Sequence, residues 1–549
     1  MSGLAPTDNA LSAADAKFLE TLSQTKSFTL GRPTGVQMTR DGKTAVFLRA
    51  LPRKAEQRLF AFELASGQTR ELASNESVLG AGDEQLSPEE KARRERMRIT
   101  ARGIVQFELS EDGTLALFQL GGRAWVVPVA GGKAKEAAGP DAASHPIFDP
   151  HLSPDASMVS FVRGGELWVA SLAGPMQKQL TSGSSTTLLH ARAEYVAQEE
   201  LSRFQGYWWS PDSKSLVYEE VDNSGVEQLW LQDPGAMFNA VTPMAYPRPG
   251  KANAKIRFGI VPAAGGETRW IDHDAKQWEY VSRVTWQPGG PLAMIVLTRD
   301  QKTLGLLAVD PNTGAARELL REHDDVFLNS ERDLRFLADG RFLWSSEAEG
   351  RWQLHLHAAD GKRERTLTPL ELGFVHIAGL DEADGVVFVT ASPTPVQGQL
   401  HEVKLDGSGV TRLHAGDEHV TASFSRTRAR VEHVLPAEGE PKSIAVRADG
   451  TIAGELPSVA EAPPFMPKLT VRVVGGMASS ELAARDTTKS MLEFYTALIK
   501  PHDFDASKKY PTLVRVYGGP HRNEVHETAF NYLIDQWIAD HGFLVLHVD

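Results

Sequence analysis

The sequence predicts a mainly β fold: an eight-bladed β-propeller followed by the first portion of an α/β domain. Three observations carry this. A turn-plus-strand unit recurs along most of the chain, a proline-rich stretch ends it, and beyond that stretch wholly apolar strands alternate with a helix-like segment. With 549 residues and 41% hydrophobic composition, the chain has the length for more than one domain and the apolar content for sizeable cores.

The recurring unit is a turn of the type S-P-D-G or x-D-G followed by four to six residues rich in Val, Leu and Phe. Copies start at Thr39, Ser110, Ser153, Ser210, Gln287, Leu337, Asp381 and Ser425. Pro-Asp and Asp-Gly supply the turn, and the alternation after it reads as a half-buried strand. Further short strands, such as RLFAFELASG from Arg58 and LWVASLA from Leu167, fill the intervals. Roughly four short strands per 40–50 residues is the period of propeller blades, which bury their faces only against neighbours. The propeller is expected over residues 34–467, after an N-terminal segment 1–33.

Three intervals exceed the repeat and read as insertions. The first contains Ser87-Pro88-Glu89-Glu90, a capping box with Pro at the first helical position. It continues as KARRERMR, with Glu89/Arg93 and Glu90/Arg94 spaced for i,i+4 pairs. The second is HARAEYVAQEELSRFQGYWW, from His190 to Trp209. The third contains AYPRPGKANAKIRFGIV, whose prolines and glycines exclude a helix across Pro247–Gly250.

Prolines 457, 463, 464 and 467 mark a linker. Residues 468–549 then run through KYPTLVRVYGGP, the amphipathic ETAFNYLIDQWIADHG and the apolar FLVLHV, the opening of a sheet buried on both faces.

Composition narrows function. A net charge of −13 argues against bulk electrostatic binding to nucleic acid or an anionic membrane. The absence of cysteine removes disulfides, thiolate catalysis and Cys-based metal sites. No stretch reaches the length of a membrane-spanning helix. The start, MSGLAPTDNALSAADAKFLETL, lacks the basic and apolar regions of a signal peptide, so cytoplasmic residence is expected, or periplasmic residence if a leader has been removed. The alternating LHLH at Leu354–His357 puts two histidines on one strand face. With no third ligand at suitable spacing, solvated blade surface is expected there and no metal site.

Three segments together carry a resemblance: QEELSRFQGYWWSPDSKSLVYEEVD (Gln198–Asp222), YPRPGKAN (Tyr246–Asn253) and KYPTLVRVYGGP (Lys509–Pro520). In content and order they resemble the dipeptidyl peptidase IV branch of the prolyl oligopeptidase clan. The resemblance implies an eight-bladed propeller capping an α/β-hydrolase domain. It also implies removal of dipeptides from free amino ends, usually after Pro or Ala, by a Ser-His-Asp mechanism with no cofactor or metal. A homodimer of the complete protein is implied as well.

Residue by residue, Glu199 and Glu200 match the family's double glutamate, which grips the substrate's α-ammonium. Adjacent residues on a helix diverge by 100°, so both carboxylates can converge only on a very short helix or at its end. Tyr517 matches the tyrosine that helps stabilise the tetrahedral oxyanion. The family also takes an arginine from the first insertion to hold the substrate's backbone carbonyl. The candidates are Arg93, Arg94, Arg96, Arg98 and Arg102, and Arg98, in RITARGI, is the expected one. The order Ser, Asp, His argues against a catalytic role for His521 or His526.

One element of the pattern is missing. The 549 residues contain no G-x-S-x-G nucleophile elbow, and 468–549 falls short of the roughly 200 residues such a domain needs. The chain is therefore expected to carry the recognition half of a serine exopeptidase without its triad and to be inactive by itself. The alternative is a propeller module that binds peptide N-termini without cleaving them.

Overall fold

In a computed structural model, residues 12–80, 82, 84, 86, 88–141, 145–232, 241–477, 491–519 and 523–549 are described. Eight antiparallel sheets follow one another along the chain. Blades 1 to 8 span residues 34–73, 107–138, 147–179, 188–270, 280–323, 334–366, 374–412 and 419–455. Each contains one copy of the repeat, which joins the first and second strands. Its chemistry is visible in blade 3. The Ser153 hydroxyl donates to Asp155 at 2.6 Å and accepts from the Met158 N–H at 2.9 Å, while Asp155 accepts from the Ser157 N–H. Ser110 with Asp112 in blade 2 and Ser210 with Asp212 in blade 4 repeat the arrangement.

The strand after the turn differs from the sequence expectation. It is not half-buried: Leu292–Leu297 and Val386–Ala391 are buried at every position. Blades stack face to face, so a blade's second strand is covered on both sides, and apolar residues at consecutive positions follow. Between blades 5 and 6, Ile295, Leu304 and Leu306 meet Leu334, Phe336, Phe342 and Trp344. The LHLH histidines obey the same rule. His355 and His357 are buried rather than solvated. His357 donates to the Gly361 carbonyl at 2.8 Å and stacks on Phe342, and burial pushes His355 down to about 4. Both are neutral packing residues, and no group of metal-ligating side chains occurs among the described residues.

The ring closes by side-chain contacts between blades 1 and 8. Every described strand of blade 8 comes from 419–455, so among the described residues no strand is exchanged with blade 1. Instead Val36, Phe47 and Phe60 of blade 1 pack on Ala429, Val431 and Ala445 of blade 8. Arg32 binds Glu440 at 2.7 Å, Arg49 donates to the Pro457 carbonyl at 2.7 Å, and Arg447 donates to the Leu64 carbonyl at 2.9 Å.

The proline-rich stretch is irregular but fastened. Val459 N–H donates to the Gly31 carbonyl, and Arg53 pairs with Glu461. Phe465 and Met466 join Phe18, Phe28, Phe530, Leu533 and Trp537 in one apolar cluster. Phe18 lies on the Ala13–Gln24 helix, so the N-terminal segment packs on the C-terminal sheet domain.

In that domain the strand order is 469–477, 491–499, 544–548, 512–515. The Leu544–Val548 strand, last in the sequence, is paired on both sides, with Val545 and His547 buried. The edge falls instead on Thr512–Arg515, every residue of which is exposed. Parallel strands need not pair in chain order, which displaces the edge from the last strand in sequence. Among the described residues no helix is long and apolar enough to cross a membrane.

Candidate functional site

The site grows out of a break in blade 4. Its first strand is split: Leu188–His190 and Tyr207–Trp209 both pair with Ser215–Asp222, and the chain leaves the sheet between them. The neck is tight. Ala191 N–H donates to the Glu219 carbonyl, Glu219 N–H donates to the Gly206 carbonyl, and Arg192 bridges Gln205. Gly206 is required here, because a Cβ would stand 2.4 Å from the Arg192 nitrogen.

At the top of this excursion lies the helix Tyr195–Glu200. Glu194 caps it, accepting from the Val196 and Ala197 N–H groups at 2.6 Å each. It ends after six residues, with Ser202 in the left-handed region at φ 52°. Glu199 and Glu200 are thus the last two residues of a very short helix, a place from which adjacent carboxylates are able to converge. The helix's C-terminal end lies there as well, and the negative end of its dipole suits a cation.

Glu199 faces the first insertion. There the Pro88–Arg96 helix forms with Pro88 at its first position, while the capping residue Ser87 and the Glu89 side chain lie outside what is described. The expected Glu90/Arg94 pair is present at 2.8 Å. Of the five candidate arginines, Arg96 reaches the glutamates. Its Nε donates to Glu199 at 3.1 Å, another guanidinium nitrogen donates to Gln198 at 3.1 Å, and the group sits 5.4 Å from the Tyr195 ring centre. Arg98, the expected residue, lies past the helix end at φ 56°, exposed and without a polar partner among the described residues. One residue, Met97, separates them, and the end of the helix at Arg96 aims them differently. Arg93 and Arg94 are buried on Gln106, Asp149, Glu84 and Glu90, and Arg102 is exposed in a two-residue strand.

Glu200 opens onto a cavity of about 1110 Å³ lined also by Tyr246, Arg248, Glu331 and Asp333. Tyr246, from YPRPGKAN, packs its ring 5.0 Å from that of Tyr195, and Arg248 is fixed by Glu227. Burial and the neighbouring Glu199 charge push the Tyr195 phenol up to about 12, so it stays a neutral donor. Tyr517 stands on the loop beyond the Thr512–Arg515 strand, 49% exposed, with no hydrogen-bond partner for its hydroxyl among the described residues. His521 lies outside those residues, and the His526 N–H is tied to Tyr532.

Sequence reasoning missed the groups beneath the helix. Arg203 and Glu219 form a buried pair at 2.5 Å, and burial, with the neighbouring Glu219 charge, pushes the Glu194 carboxyl up to about 7. Glu194 and Arg203 stand among other charged and polar residues and Glu219 stands next to Glu220, so spacing alone does not single them out.

Residues 114–433 match the model of the dipeptidyl peptidase IV (DPP IV) N-terminal region. Dipeptidyl peptidase 8 of Mus musculus is 23% identical over 452 residues, covering 65% of this chain and 49% of that protein. Dipeptidyl peptidase 4 of Trichophyton tonsurans is 22% identical over 388 residues, covering 65% and 48%. The chain spans about half the length of the curated relatives it matches. The crystal structure of Porphyromonas gingivalis dipeptidyl peptidase 4 superposes with a TM-score of 0.77 at 21% identity, over 100% of this chain and 74% of that one. With the family model covering more than half of its length, this eight-bladed chain belongs to the dipeptidyl peptidase IV family.

Proposed function

We propose that the chain is the substrate-recognition portion of a serine exopeptidase that removes dipeptides, after Pro or Ala, from the free amino end of peptides. The observation that carries this is the Glu199-Glu200 pair at the end of a six-residue helix, with Arg96 bound to Glu199. Two carboxylates there offer charge-assisted acceptors to an α-ammonium. Arg96, once the peptide is seated, has donors for the first backbone carbonyl.

The anchoring also sets the length of the product. An extended chain advances about 3.5 Å per residue, so the second peptide bond lies roughly 7 Å from the held ammonium. A nucleophile at that distance releases a dipeptide and nothing longer. Tyr517 supplies the phenol donor for the oxyanion that forms there. The nucleophile itself is not among these 549 residues, so the chain alone binds peptides without cleaving them.

The test compares peptides of one sequence with a free and an acetylated amino end, labelled at the carboxyl end, by fluorescence anisotropy with the 549-residue chain. Binding of the free form at least tenfold tighter is expected, since acetylation removes the charge that the two carboxylates hold. Equal affinity for both forms overturns the reading.

A further inference from the structure

The charged groups beneath the recognition helix are more than its blade needs for folding. Glu194, Arg203 and Glu219 are 7%, 6% and 0% exposed. Glu194 holds the helix's first turn through two N–H groups. Arg203 follows the other end, and its backbone N–H donates to the Ala197 carbonyl at 2.9 Å. Its guanidinium then spans three elements, donating to the Val281 carbonyl of blade 5 at 3.0 Å, to the Gln205 carbonyl at 3.1 Å and to Glu219 at 2.5 and 3.2 Å. Glu219 closes the circuit, because its own backbone N–H and carbonyl receive the two legs of the neck.

Such a node is costly. Arg203 pairs with Glu219 out of water while a second carboxylate, Glu194, is buried beside them, and buried ion pairs add less stability than apolar residues of the same size. What it provides is orientation at both ends of a helix too short to hold itself. We propose that Glu194, Arg203 and Glu219 are positioning residues that preset the Glu199 and Glu200 carboxylates for an ammonium. The inference rests on the reading of that pair as the ammonium receptor.

Glu194→Gln separates positioning from folding, because it removes one of two buried carboxylates and leaves the Arg203–Glu219 pair whole. The measurements are melting temperature and affinity for the free and acetylated peptides, with Glu194→Asp and Glu199→Gln in parallel. The expected result is an unchanged or raised melting temperature with about tenfold weaker binding of the free peptide, the cost of ordering side chains that are preset in the wild type. Binding of the acetylated form stays constant. Glu194→Asp, a strong helix cap, restores the preference. Wild-type preference in Glu194→Gln overturns the inference, as does equal weakening for both peptides with a lowered melting temperature. If Glu199→Gln also keeps the preference, the receptor assignment itself has failed.

Discussion

Replacing Arg96 by alanine tests which arginine serves the recognition pair. The substitution removes two hydrogen bonds of 3.1 Å, to Glu199 and Gln198, and a guanidinium 5.4 Å from the Tyr195 ring. The Arg96 and Glu199 side chains are 20% and 32% exposed. Partly wetted pairs contribute at most about 1 kcal/mol, and the ring contact about 0.5–1 kcal/mol. The stability loss is therefore expected near 1–2 kcal/mol, and the chain stays folded. Peptide binding loses more. A charge-assisted hydrogen bond to the substrate carbonyl is worth about 1.5–3 kcal/mol, which weakens affinity roughly 10- to 150-fold. Arg98→Ala breaks no polar contact among the described residues and should stay within about twofold. Anisotropy titrations of both variants with one free-amino peptide decide the matter. Tenfold weakening by Arg98→Ala with Arg96→Ala unaffected would refute the geometric assignment.

Three further outcomes are expected. His190 lies buried between Glu166 at 2.6 Å and Glu220 at 3.1 Å, bonds to both carboxylates raise its pKa, and the Glu166 carboxyl is held down to about 2. The histidine's share of stability is full below pH 6.5 and lost as pH rises through its folded pKa, whereas that of Glu166 is full above pH 4.5 and lost towards pH 2. His190→Asn should thus cost about 3 kcal/mol in urea melts at pH 6 and less at pH 9.5; equal costs at both pH values would disprove the charged-histidine reading. In a complete peptidase built on this chain, Tyr517→Phe should lower kcat by about 10²–10³ with little change in KM, and a loss below about threefold would make the hydroxyl merely structural. Leu513 and Val514, 40% and 55% exposed on the edge strand, should drive self-association of the 549-residue chain. Lysine at both positions should shift its sedimentation profile towards monomer, and an unchanged profile counts against that edge.

Much of the blade count was legible because the copies at Thr39, Ser110, Ser153 and Ser210 are closed local devices. Ser or Thr, then Asp two residues on, fixes a turn whatever surrounds it, as Thr39 with Asp41 also shows. That Glu199 and Glu200 end a six-residue helix agrees with what the family resemblance led us to expect, because adjacent helical residues diverge by 100° and a short helix or a helix end suits such a pair. Other features depend on partners distant in sequence. Alternation put His355 and His357 on one face, but only stacking of blades decides that the face is covered. Arg96 and Arg98 differ by the direction in which a helix ends. The edge at Thr512–Arg515 follows from a strand order that crosses over, and the node at Arg203 joins residues from two blades through side chains.

The closure of the ring without a shared strand bears on how the protein is made. In a propeller latched by exchange, the first sheet waits with a missing strand until the last residues are synthesised. Here each blade can complete its own hydrogen bonding as it leaves the ribosome, and every new blade finds its predecessor's face ready. The cost is deferred to a single late event, the docking of Val36, Phe47 and Phe60 against Ala429, Val431 and Ala445. Until then both faces are bare, and a nascent chain carries its greatest risk of clumping at the moment before the circle is joined.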